Sequence, residues 1–295
     1  MFFPVQSVTQ PAGSYDLVSL VTVKDELQIT DTNSDVFLGR AISQSSAAIA
    51  NYCNRVFVPE GVTEQFDVRR DDFGTPIRAF SPLLQCGRYP LISLTSVTQY
   101  PANQPSILLV QDTDFRLDLE RGTLTRLNIY TGLARNWEEI PLTIAYMAGF
   151  GAMATETYDV PATPFQITVA QSDNYNWTQS VSYANGTALV QVPSNPAVGQ
   201  YAVSAGVYTF NSADAGNSVT IIYAWNNIPD DLQDACLRLI TARFTSRGRD
   251  PALIEKSNPA TGSQRFWAGT SPGQKGALPP EIALLVEHYR APVVA

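Results

Sequence analysis

Six residues in mid-chain, Gly149-Phe150-Gly151-Ala152-Met153-Ala154, match the G-x-G-x-x-A spacing that cradles a dinucleotide pyrophosphate. That chemistry needs a helix opening directly after the glycines, because the helix's free N–H groups hold the phosphates. Thr155, Thr157 and Pro161 follow within about ten residues, so a strand end with a glycine turn is expected instead. Nucleophilic catalysis finds little support. His288 is the only histidine and sits in a C-terminal helix beside Tyr289, with no G-x-S-x-G-like turn near it in sequence. Asp71-Asp72, Glu138-Glu139 and Asp230-Asp231 offer paired carboxylates of the kind glycoside hydrolysis uses. Sequence neighbours on a strand point to opposite faces, however, and Asp230-Asp231 suits the positive end of a helix dipole. Cys53, Cys86 and Cys236 are odd in number and lack C-x-x-C spacing, which reads as buried thiols in a reducing compartment. No cofactor, no metal and no enzymatic activity are expected.

Binding residues are more numerous. Tyr175, Trp177 and Tyr183 could stack on sugar rings or anchor an interface. Asn176-Trp177-Thr178 and Asn185-Gly186-Thr187 match the glycosylation pattern, but Met1-Phe2-Phe3-Pro4 carries no basic region or long apolar run, so no signal peptide is expected. Arg238, Arg243, Arg247, Arg249 and Arg265 form the one basic concentration. They fit helix-end capping or pairing with acidic residues of a partner.

The elements that must hold these residues follow from periodicity. A short helix is expected over Val23–Ile29 behind an N-cap at Thr22, and a long one over Ser34–Asn54 with Phe37, Leu38, Ala41, Ile42, Ala48, Ile49 and Tyr52 at helical spacing. About twenty residues make a rod of about 30 Å. From Glu64 to Tyr146 the pattern alternates as strands, ending on Pro141–Met147. Residues 155–225 form a second β-rich block whose last strand, Val219–Trp225, echoes Leu142–Ala148. A helix over Pro229–Arg247 follows, then a Gly/Ser/Pro-rich stretch from Asn258 to Gly276 and a helix over Pro280–Tyr289. The apolar face of that last helix (Ile282, Leu285, Val286, Tyr289) has no evident local core, so a partner groove is expected to receive it.

The 295 residues carry 44% hydrophobic but only 16% charged side chains, against roughly 25% charged in ordinary domains. Uncharged polar surface suits burial against neighbouring subunits, where charges would be costly to desolvate. The formal net charge of −8 argues against gripping a nucleic-acid backbone, and no apolar stretch is long enough to span a membrane.

Several segments, in order, resemble the head–tail connector (adaptor) family of tailed bacteriophages. They are Leu20–Leu27 with the acidic turn into the long helix, Tyr89–Val97, Gly122-Thr123-Leu124, Tyr146-Met147-Ala148-Gly149, Ile228–Leu232, and Leu284-Leu285 with Tyr289-Arg290. The resemblance covers about 17–150 and 226–295, while residues 155–225 stand where shorter members have a brief loop. It implies an α+β fold with a small helical scaffold (N-terminal helices plus a late helix) and a β-rich middle. The expected parts are an adaptor core (1–154 and 226–250), an inserted all-β domain (155–225) and an extended C-terminal arm (251–295). The implied function is a virion protein of the neck, assembled in the host cytoplasm as a homo-oligomeric, twelve-fold ring. It would dock on the portal protein, meet tail or neck proteins (stopper, tail terminator or nozzle) and pass double-stranded DNA without binding it specifically. Arg265, Phe266, Trp267, Ile282, Leu285, Val286, Tyr289 and Arg290 are the expected arm contacts to portal or neighbour. Arg243, Arg247, Arg249, Tyr175 and Trp177 are further interface candidates. The rival expectation is a carbohydrate- or receptor-binding module carried by residues 155–225.

Overall fold

The computed structural model describes residues 5–66, 81–138, 140–247, 255–258, 262–265 and 278–291. The fold is α+β. The chain divides into two compact units, a β unit (Met1–Ser14 with Val58–Asn227) and a helical unit (Tyr15–Phe57 with Ile228–Ala295). The β unit holds both strand-rich blocks read from the sequence, and the helices form a unit of their own.

The first half of the β unit runs β1 (Val5–Gln10), β2 (Glu60–Phe66), β3 (Leu83–Gln85), β4 (Leu91–Gln99), β5 (Ile107–Leu108), β6 (Phe115–Asp118), β7 (Thr123–Arg126) and β8 (Leu142–Ala148). They make a five-stranded antiparallel sheet, β1-β2-β8-β4-β5, and a three-stranded sheet, β3-β7-β6. Central β8 alternates buried and half-buried positions, and its Leu142, Ile144, Tyr146 and Ala148 enter a core shared with Val62, Val97, Phe115, Leu124 and Trp137.

The second half adds β9 (Gly151–Asp159), β10 (Gln166–Thr168), β11 (Tyr175–Tyr183), β12 (Val190–Gln191), β13 (Gln200–Ser204), β14 (Val207–Phe210) and β15 (Ser218–Asn226). Sheets β11-β15-β9 and β10-β14-β13-β12 share their own core, which includes Val181, Tyr201, Tyr208, Ile221 and Tyr223. This is a small β sandwich. Its last strand, β15, is central in its sheet, as the echoing β8 is in the first. β9, β11 and β14 were not read from the sequence. β9 escapes because Gly-Ala-Met-Ala-Thr has small residues and no alternation of polarity.

The helical unit contains α1 (Leu20–Glu26), α2 (Asp35–Cys53), α3 (Asp230–Thr245), the hairpin β16 (Glu255–Asn258) and β17 (Gly262–Arg265), and α4 (Pro280–Val286), which continues as a 3-10 turn over Glu287–Tyr289. The long helices fall within two residues of expectation. α1 begins three residues early because Ser19, not Thr22, is the cap: Ser19 Oγ accepts from the Thr22 N–H at 3.1 Å. α2 and α3 pack together, each burying apolar residues (Ile42 and Ile49, Leu239 and Ile240), with Phe37 against Phe244 at 6.2 Å between ring centres and Ser46 Oγ 3.6 Å from Cys236 Sγ.

Candidate assembly surfaces

Among the described residues, several of the candidates for chemistry have structural partners. Gly151 to Ala154 are strand, not helix start, so no helix N-terminus receives a pyrophosphate there. Gly149 has φ +132°, and a Cβ on it would lie 2.3 Å from the Val58 carbonyl oxygen, so the glycine serves the turn. His288 places Nε2 3.1 Å from an Asp231 carboxylate oxygen at the start of α3. The three thiols are buried, and burial pushes Cys53 and Cys236 up to about 11, away from the reactive thiolate. Asp71, Asp72 and Glu139 lie outside the described residues. Among the described residues, no cluster of three or more His, Cys, Asp or Glu side chains could hold a metal ion, and no helix is long and apolar enough to cross a membrane.

Buried charge is used to hold sheets. Glu64, fully buried on β2, accepts from the Gly87 N–H at 3.0 and 3.1 Å, from Tyr146 Oη at 2.7 Å and from Gln6 Nε2 at 2.6 Å. Burial, then the Glu64 charge, push the Tyr146 hydroxyl far above its ordinary value. Glu60, one strand-turn away on the same face, pairs with Arg88.

A second cluster anchors the loop after β7. Arg126, only 4% exposed, donates to both oxygens of Glu138 at 3.0 and 3.1 Å and to the Asp114 carbonyl at 2.6 Å, with its guanidinium 5.7 Å from the Trp137 ring. Gln99 and Arg135 also donate to Glu138. Burial opposes the Glu138 charge, but these bonds offset it, and its carboxyl sits below the usual carboxylate range. From this base rises a hairpin in which Leu127 faces Ala134, the Asn128 side chain caps the Tyr130 and Thr131 N–H groups, and the Gly132 N–H returns to the Asn128 carbonyl. Its tip shows Ile129 (56% exposed), Tyr130 (90%) and Leu133 (69%) to solvent. Next to it, the exposed Ile107, Leu108 and Val110 follow the free edge of the sheet, with the Val110 N–H held by Asp114. The sequence reading missed this patch. Its signal was the run Asn128–Leu133, apolar and turn-forming without a charge.

The expected arm contacts divide. Phe266, Trp267 and Arg249 lie outside the described residues, and Arg265 ends β17. The expectation that α4 has no local core is corrected: Ile282 (2% exposed) and Val286 (0%) are buried within the helical unit, while Leu285 and Tyr289 are half-buried. The receiving surface joins the end of α2 to the start of α3, residues too distant in sequence for periodicity to pair. Cys53 Sγ lies 3.6 Å from the Val286 carbonyl, and the Ala291 N–H donates to the Cys53 carbonyl. Tyr289 Oη donates to Asp231 at 2.8 Å, its ring standing edge-on to Phe57. Arg290 is exposed and lies 5.3 Å over the Tyr52 ring.

Arg243 donates to Gln44 at 2.6 Å and Arg247 stacks 4.7 Å over Phe37, so both tie α3 to α2. Trp177 is 8% exposed. Tyr175 is wedged between Tyr208 and Tyr223, and Tyr183 donates to buried Asp214 at 2.6 Å. Tyr175 and Tyr183 pack against the sandwich core and Trp177 is buried, so these three rings are not displayed together as an exposed stacking platform.

A further cleft of about 530 Å³ opens where β4 begins and β8 turns into β9. It is walled by Pro90, Leu91, Ile92, Phe150 and Met153 and has no charged residue in its lining. Charge is unevenly spread. The β unit's sequence has fifteen acidic and eight basic side chains, the helical unit's twelve and eleven. No Lys, Arg or His occurs between Arg135 and Arg238.

No protein-family model and no curated protein matches the chain. Two solved structures align with it along nearly the whole of both chains. One is the neck of an empty gene transfer agent particle computed with C6 symmetry (11% identity, TM-score 0.43, covering 99% of this chain and 97% of that one). The other is the virion of a native gene transfer agent particle (12% identity, TM-score 0.44, with the same coverage).

Proposed function

We propose that this chain is a structural subunit of the neck of a tailed-phage-like virion: a non-enzymatic, ring-forming adaptor that docks on a portal protein and hands the DNA channel on to tail proteins. The observation that carries the reading is the helical unit. The adaptor-like segments Leu20–Leu27, Ile228–Leu232 and Leu284–Arg290 come from both halves of the chain and fold into one scaffold, with Tyr289 bonded to Asp231. The β unit, spliced between them, supplies apolar and uncharged surface for neighbours, at little desolvation cost.

The charge distribution supports passage of DNA rather than capture. A β unit with about two acidic groups for each basic one repels a duplex, and the sandwich has no cation to neutralise a phosphate. Native mass spectrometry and electron microscopy of the purified protein, with and without portal, test the reading. A closed ring that joins the portal is expected. A stable monomer that ignores both its own copies and assembled portal-bearing heads would overturn it.

A further inference from the structure

A tight turn follows β11. The Tyr183 N–H donates to the Thr187 carbonyl and the Gly186 N–H to the Tyr183 carbonyl, both at 2.9 Å, while Ser182 bridges to Ala188 beyond them. The loop is closed by a glycine at φ +85°, a conformation that side chains resist. Asn185-Gly186 is the one Asn–Gly step in the sequence, and both residues are exposed. A Cβ placed on Gly186 would meet nothing within 4 Å, so the chain is uncrowded there.

We propose that Asn185 is a site of spontaneous covalent modification, at which the Gly186 backbone nitrogen attacks the side-chain amide and converts asparagine to aspartate and isoaspartate. The inference stands apart from the adaptor reading and survives its failure. The step needs water alone. The Gly186 nitrogen gives its proton to solvent and bonds to Asn185 Cγ. The Cγ–Nδ2 bond breaks, Nδ2 takes a proton from solvent and departs as ammonia, and a cyclic imide remains. Water then opens the imide at either carbonyl. Breaking the nitrogen–Cγ bond gives aspartate. Breaking the bond to the backbone carbonyl carbon gives isoaspartate, whose main chain runs through the former side chain.

Three features select this residue. Asn185 Oδ1 accepts from the Thr187 N–H at 2.9 Å. That donor polarises the Cγ carbonyl and faces the oxygen on which negative charge gathers as the nitrogen adds, in the manner of an oxyanion hole. Glycine presents the attacking nitrogen with no side chain beside it. The bond from the Gly186 N–H to the Tyr183 carbonyl restrains that nitrogen, but it lies at an exposed turn, where local opening is easiest. Asn176, in the other N-x-T triplet, is the contrast. It is 4% exposed, its Oδ1 accepts from the Gly13 N–H at 2.6 Å, its Nδ2 donates to Asn226 at 2.7 Å, and Trp177 follows it. Conversion of Asn185 puts a new carboxylate in a stretch of chain that has no Lys, Arg or His.

The test incubates the full folded chain at neutral and at mildly alkaline pH and reads chymotryptic peptides by mass spectrometry. Trypsin has no site between Arg135 and Arg238. The amide-to-acid mass gain should accumulate at Asn185 and not at Asn176, with ammonia released in equal amount and a faster rate at alkaline pH, where the nitrogen loses its proton more readily. Isoaspartate, detected with an isoaspartyl methyltransferase, should appear beside aspartate. Asn185→Gln should abolish the signal, because the longer side chain must close a larger ring. Gly186→Ala should slow it by crowding the nitrogen, and the glutamine variant keeps the test decisive if alanine at φ +85° disturbs the turn. An Asn185 that keeps its amide throughout would overturn the proposal. So would aspartate formed without isoaspartate, which would mean direct hydrolysis and no cyclic imide.

Discussion

Raising the pH above 10 should unfold the β sandwich through its tyrosines. Tyr201 (4% exposed) and Tyr223 (0%) lie in its core. Burial pushes each hydroxyl up to about 12, helped at Tyr201 by Tyr175 and at Tyr223 by the bond to Glu156. In the unfolded chain these hydroxyls lose their protons near 10, whereas the folded protein keeps them. Stability from this source is thus complete below pH 10 and falls as pH rises toward 12. A shift of two units corresponds to about 2.7 kcal/mol per group, so the pair can withdraw about 5 kcal/mol, the lower end of a domain's whole stability. Tyr158 and Tyr183, also raised to about 12 by burial and then by a carboxylate partner, are half-exposed, and solvent screening leaves them a smaller share. The assay is the urea midpoint followed by tryptophan fluorescence from pH 8 to 12. Tyr201→Phe is the informative variant, because its hydroxyl gives only a long 3.4 Å bond to Gln191. It should cost little at pH 8 and make the alkaline loss shallower by about 2.3 kcal/mol at pH 12. An alkaline slope identical in wild type and Tyr201→Phe would refute the reasoning.

Three further outcomes are expected. Replacing Ile282 and Val286 together by Ala should cost about 2–5 kcal/mol and undock α4, so that Cys53, now 0% exposed, reacts much faster with a thiol reagent; an unchanged reaction rate would place α4's hold elsewhere. Arg126→Lys should destabilise almost as much as Arg126→Ala, about 3–5 kcal/mol in urea, because a point charge cannot make the two-pronged bond to Glu138; full rescue by lysine would contradict this. Glu64→Gln removes one of two acceptor oxygens and should lower stability by about 2–4 kcal/mol, read as a drop in Tm, with little loss if the site admits water.

The parts legible in the sequence were those whose signal is local. α2 and α3 announce themselves by apolar residues three and four apart, and Pro229 with Asp230 and Asp231 marks the start of α3. β8 and β15 read clearly because each alternates or runs apolar between turns. The base of the hairpin was not visible: Glu138 stood out only as half of an adjacent carboxylate pair, and nothing in the spacing of Arg126, Arg135 and Glu138 says that one buried guanidinium gathers Glu138 and Asp114. The dock of α4 was invisible for the same reason. Cys53 and Asp231 are far from Val286 and Tyr289 along the chain, and only the tertiary fold makes them a groove.

Solvent exposure is the property that sequence conveys least. Ile129, Tyr130 and Leu133 look like core residues in a list, as Ile282 and Val286 look like unsatisfied ones, and the structure reverses both. The terminal helix has its own receiving surface, so it need not recruit a partner to bury its apolar face. Exposed apolar side chains occur on both units, as Val21, Val36 and Leu284 on the helices and as Ile129, Tyr130 and Leu133 on the β unit, whose sheet edge ends in the exposed pair Ile107-Leu108. A protein that leaves a rigid, uncharged aromatic tip in water bears a continuing cost in solubility. Burying that tip against another surface would remove the cost.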